Sequence, residues 1–99
     1  MLQLYDQKPI SIFMVDDEYR IRVQFCNVKM RMKICQFRHF HNYLSRLSRH
    51  IDENTETVEL LLVKDNLNIS ISLNHFLQLS HAVKVVMAEK FGQQSTILN

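Results

Sequence analysis

From Tyr19 to Ile34 apolar residues recur at about every second position, and the spacing changes at Phe37. Ile10 to Val15 is apolar and rich in β-branched residues, which predicts a strand. Asp16-Asp17 suits a tight turn, and Tyr19 to Phe25 alternates again. With Asp16 and Asp17 as the two loop residues, Ile10, Ile12 and Met14 share a sheet face with Tyr19, Ile21 and Val23. A second turn at Cys26-Asn27 puts Phe25 and Val28 on that face, and Met30, Met32 and Ile34 continue it. Three antiparallel strands are predicted.

From Phe37 the period is about 3.6. Phe37, Phe40, Leu44 and Leu47 form one stripe of a helix of about four turns, with Arg38, Asn42, Ser45 and Arg49 opposite. Arg46, Arg49 and His50 fall at its end, where cations meet the negative end of the helix dipole, and Asp52 to Thr55 form a polar exit loop. The sequence of elements then repeats. Val58, Leu60 and Leu62 alternate, Asp65-Asn66 supplies a turn, and Leu67, Ile69, Ile71 and Leu73 alternate before a second helix. That helix carries Phe76, Leu79, Val83 and Val86 and is closed by Gly92.

A shift of 39 residues superposes the two units. Asn27 falls on Asn66 and Phe37 on Phe76, and the apolar positions at 21, 23, 28, 30, 32, 34, 37, 40, 43, 44 and 47 all land on apolar residues. The expected fold is therefore α+β: two tandem ββα units, with one further strand at the N-terminal end, form a mainly antiparallel five-stranded sheet with both helices on one face. The first βββα unit spans 10–50, the second ββα unit 56–92, and 93–99 is a frayed tail of a single domain 1–99.

Composition supports a folded interaction protein more than an enzyme. Of the 99 residues 46% are hydrophobic and 22% charged, which suits an ordinary globular core. One Gly and one Pro leave little of the loop chemistry that phosphate cradles and active-site loops draw on. Cys26 and Cys35 are too few for a disulfide framework and lack the spacing of a zinc or redox pair. The mixed stretch from Met1 to Pro9 lacks the apolar run of a signal peptide, and no segment reads as a membrane span, so a cytoplasmic location is expected.

Charge placement changes the picture further. The net charge is only +2, yet Arg20 to His50 contains Arg20, Arg22, Lys29, Arg31, Lys33, Arg38, Arg46 and Arg49 and no acid. In the register above Arg20, Arg22, Lys29, Arg31 and Lys33 face outward together, a basic patch able to attract phosphates on the kind of sheet that serves as a platform for single-stranded nucleic acid. Only Phe13 is available nearby for stacking, and the matching positions of the second unit, Glu59, Leu61, Val63, Asn68, Ser70 and Ser72, are not basic. Phe13, Val15, Leu61 and Val63 lie on the helix-free face, where contiguous apolar surface favours burial against another subunit. The leading expectation is a non-catalytic interaction module that homodimerises through its sheet. Nucleic-acid binding through the basic face is the alternative.

Other chemistry is thinner. His39 and His41 point apart on a helix, so a metal site would need Cys35 and His39, four residues apart, plus distant ligands. His75 and His81 flank the second stripe without an acid beside them, and spacing defines no catalytic triad, dyad or cofactor loop. No cofactor, metal or small-molecule ligand is expected. The string Ser11-Ile12-Phe13-Met14-Val15-Asp16-Asp17-Glu18 resembles the acidic strand end of response-regulator receiver domains, where paired acids bind Mg²⁺ beside a phosphorylated Asp. Here Asp65 is the only loosely spaced acceptor and no Lys-Pro pair follows, so Asp16 and Asp17 are read as turn residues. More broadly, Phe25-Cys26-Asn27-Val28-Lys29-Met30-Arg31-Met32 leading to Phe37-Arg38-His39-Phe40 resembles small bacterial proteins of unknown function with a recurring ββα pattern. Those relatives often carry an N-terminal cysteine pair, which this chain lacks. The resemblance implies no assigned activity.

Overall fold

A computed structural model describes residues 2–15, 20–62 and 67–91. The chain runs β1 (Leu2–Gln7), β2 (Ile10–Val15), β3 (Arg20–Phe25), β4 (Val28–Lys33), α1 (Ile34–Ser48), β5 (Thr57–Leu62), β6 (Leu67–Ser72) and α2 (Leu73–Val86), and α2 continues into a π-helical turn at Met87–Phe91. The class is α+β with antiparallel strands, as expected, but the single five-stranded sheet is not formed. β1-β2-β3-β4 make one sheet in sequence order, and β5-β6 make a separate two-stranded sheet.

β1 is the additional strand, and local geometry explains its poor signal. Its pairing with β2 slips between Gln3 and Tyr5, so that Gln3 opposes Phe13 but Tyr5 opposes Ile12. This bulge breaks the two-residue alternation, and β1 is an edge strand with mostly exposed side chains. A two-residue turn, containing a cis Lys8–Pro9 peptide, links Gln7 to its partner Ile10.

The β2–β3 register also differs from expectation. A loop of Asp16-Asp17 would set Val15 against Glu18, whereas Val15 pairs with Arg20 and Ile12 with Val23. A slip of two residues leaves every side chain on the face expected for it, because the side-chain period is also two. Asp16, Asp17 and Tyr19 themselves lie outside the described residues, as do Val63, Asp65, Asn66 and Gly92. At the next hairpin Phe25 pairs with Val28, and Cys26 takes the positive φ of 55° that a two-residue connection asks of its first residue. Both neighbours of β2 are antiparallel, unlike the parallel strand of a receiver domain.

Ile34 begins α1 instead of ending β4. Its cap is Lys33, whose N–H donates to Gln36 Oε1 at 2.7 Å. α2 is capped by Ser72, whose Oγ accepts from the His75 N–H at 3.1 Å. Between the units Asp52 organises the exit loop: its Oδ1 accepts from the Asn54 N–H at 2.9 Å and from Thr55 Oγ1 at 3.1 Å.

One apolar cluster holds these elements together. Ile10, Ile12, Ile21, Val23 and Phe25 line the inward face of the four-stranded sheet, and Phe37, Phe40 and Leu44 of α1 and Phe76, Leu79, Val83 and Val86 of α2 pack with them. α1 covers β3 and β4, while α2 covers β1 and β2 and also contacts β5 and β6. Val58, Leu60 and Ile71 bring the second sheet into the same cluster. Phe37 and Phe76 are fully buried, as the 39-residue repeat places them, and Phe91 from the π-helical turn meets Phe37 edge-on at 6.1 Å. The repeat is offset by 39 from β4 to β6 (67 − 28) but by 37 from β3 to β5 (57 − 20). Four residues separate Leu62 from its partner Leu67, where two separate Phe25 from Val28.

Candidate functional site

The outward face of β3 and β4 collects the predicted basic residues. Arg22 and Arg31 are directly opposed across the strands, as are Arg20 and Lys33, and Lys29 opposes Gln24. These three rows are spaced by about 7 Å along the strands, two residues at a time. Arg20, Arg22, Lys29 and Arg31, with Met30, surround an open depression of about 520 Å³, and Lys33 stands opposite Arg20. On the other side of β3, Phe13 pairs with Arg22 and Val15 with Arg20. Phe13 is half-buried, so part of its ring is offered beside the central arginine.

Strand order decides what these charges mean. β4 is an edge strand, and lysine and arginine on an edge guard its unpaired backbone against another strand. That role accounts for Lys29, Arg31 and Lys33. It does not account for Arg20 and Arg22, because β3 is paired on both sides. Like charges directly across a ladder repel, and Arg22 and Arg31 stand in that relation.

The predicted apolar patch is divided between two sheets. Phe13 and Val15 are half-buried on the outer face of the four-stranded sheet, while Leu61, 54% exposed, lies on the outer face of β5-β6. Val63 lies outside the described residues. Neither edge of β5-β6 is paired with another strand among the described residues, although Tyr43 Oη of α1 accepts the Leu61 N–H at 2.8 Å.

The histidines are dispersed. Cys35 and His39 are both exposed on α1, and no group of three or more metal-ligating side chains occurs among the described residues. A smaller depression of about 330 Å³ between β1 and α2 is lined by Tyr5, Gln7, Lys8, Leu77, Gln78 and His81. Gln78 Oε1 is buried without a hydrogen-bond partner among the described residues.

A contact that spacing did not reveal joins the β3–β4 turn to α2. Cys26 Sγ lies 3.7 Å from His75 Nδ1, within reach of an S–H···N hydrogen bond, across 49 residues of sequence. The structure gives Cys26, a non-glycine residue, a positive φ at this turn, which no local pattern in the sequence announces.

No protein-family model matches the chain, and neither do any curated protein or solved structure. No helix among the described residues is long and apolar enough to cross a membrane.

Proposed function

We propose that the protein is a non-catalytic binding module whose β3–β4 face engages the phosphates of a single-stranded nucleic acid. The observation that supports this reading is the placement of Arg20 and Arg22 on a strand paired on both sides, around the same depression as Lys29 and Arg31. Three rows of cations suit a chain of phosphates better than a single anion. Phe13 beside Arg22 offers one apolar surface for a base, so the expected binding is driven by charge and tolerant of sequence.

A second reading is homodimerisation through β5-β6. A two-stranded sheet is marginal by itself, its edges lack a strand partner among the described residues, and Leu61 is exposed on its outer face. A second copy of the chain would pair at the edge and cover Leu61.

Sedimentation equilibrium over a range of protein concentration separates the two, in low and high salt, with and without a random single-stranded oligonucleotide. The first reading expects oligonucleotide binding that weakens with salt. Its log–log slope is about −0.7 per phosphate contacted, or roughly −3 for the four cations of the depression. A dimer that persists in high salt and ignores the oligonucleotide refutes that reading and supports the second.

A further inference from the structure

The Cys26–His75 contact unites a nucleophile with a base, and it belongs to neither surface discussed above. We propose that Cys26 is a base-assisted reactive thiol that exchanges with small anionic disulfides, with His75 accepting its proton. Cys26 is exposed at the tip of the β3–β4 turn, so a disulfide can approach its sulfur from solvent. His75 is half-buried in the first turn of α2, where its own N–H is bonded to the Ser72 cap. The base is therefore anchored to a capped helix and the nucleophile to a closed turn, and their side chains meet at hydrogen-bond distance. The turn itself does not require sulfur: Gly or Asn fits a positive φ with less steric cost.

Charge favours the class of disulfide. Lys29 lies two residues beyond the turn at the near end of the basic face, so a carboxylate-bearing disulfide is drawn to Cys26 while a neutral one is not. In the exchange the Sγ–H proton passes to His75 Nδ1 and sulfur attacks one sulfur of the disulfide. That S–S bond breaks as the bond to Cys26 forms, the displaced half leaves as a thiolate, and His75 passes the proton to solvent. One disulfide is consumed and one mixed disulfide is formed, with no other oxidant.

Cys35 provides an internal reference. It is also exposed, on α1, with no imidazole hydrogen-bonded to its thiol among the described residues. The test follows release of the coloured thiolate from 5,5′-dithiobis(2-nitrobenzoate), a dianionic disulfide, by the full chain. Cys26→Ser and Cys35→Ser assign the two kinetic phases. Cys26 is expected to react about tenfold faster than Cys35. The gain is bounded because an ordinary thiol is already a few per cent thiolate at neutral pH. His75→Gln should remove most of that advantage and leave the Cys35 rate unchanged, which also reports that the fold is intact. Added salt should slow Cys26 with this reagent but not with neutral 2-hydroxyethyl disulfide. Incubation with oxidised glutathione should place a mixed disulfide on Cys26 in peptide mass mapping. Equal rates for the two thiols in the unmodified histidine background overturn the proposal, as does a Cys26 rate indifferent to His75→Gln. Salt independence with the dianionic reagent overturns the preference for anionic disulfides.

Discussion

Replacing Phe37 or Phe76 with Ala tests whether the two ββα units share one core. Both rings are fully buried at equivalent positions of their helices, and both belong to the one apolar cluster. Truncation of a fully buried Phe costs about 3–5 kcal/mol, through lost transfer energy and the cavity left behind. Phe37 has in addition the edge-on contact with Phe91, and such pairs contribute about 0.5–1.5 kcal/mol beyond area burial. Phe37→Ala should therefore be the more damaging by roughly that amount. A domain of this size has a total stability of about 5–15 kcal/mol, so either change removes a large share of it. Urea denaturation followed by circular dichroism, with phosphate-stabilised buffer if needed to populate the folded state, gives the free energies and the slope. Each variant should unfold in one transition with the slope of the parent, because α2 contacts both sheets and loss at either end undermines the whole. Two separated transitions, or a loss below about 1 kcal/mol from either substitution, would refute the single-core argument.

Three further outcomes follow from particular contacts. Tyr43→Phe removes the acceptor of the Leu61 N–H and should cost about 0.5–1.5 kcal/mol, with faster hydrogen exchange at the Leu61 amide than at its neighbours in β5. Ser72→Ala deletes the cap of α2 and should cost about 1 kcal/mol in urea denaturation, most of which Ser72→Asp should restore. Arg22→Gln removes one member of the Arg22–Arg31 pair; stability should rise by a few tenths of a kcal/mol while oligonucleotide binding weakens and its salt slope falls by about 0.7.

The parts of the fold legible in the sequence are those set by neighbours along the chain. Period two put Ile21, Val23 and Phe25 on the inward face, and the 3.6 period found Phe37, Phe40 and Leu44, all buried. Face assignment survived a loop-length error because a slip of two residues preserves it. Ile34 was ambiguous for a related reason. It continues the alternation of Met30 and Met32 and is also three residues before Phe37, so it satisfies both patterns until the Gln36 contact to Lys33 closes the helix start. β1 was obscured by its bulge. The division into two sheets had no local signature, since hairpin pairing is specified by turns whereas lateral pairing of hairpins depends on how the helices steer the chain.

The candidate sites divide along the same line. The basic residues were legible as a group because one hairpin contains them all, but their meaning depends on which of its two strands each one occupies. With β1 in place β2 is an inner strand, and β3 is inner in either case, so edge protection reaches only the β4 cations. The Arg22→Gln experiment turns that topological point into a measurement. A charge that serves only solubility should cost neither stability nor binding when removed. A charge kept against cross-strand repulsion should yield stability and lose affinity in the same variant, as expected where function is retained at the expense of the fold. A stability gain without loss of oligonucleotide binding would separate the repulsion from the proposed ligand and leave Arg22 without a functional role.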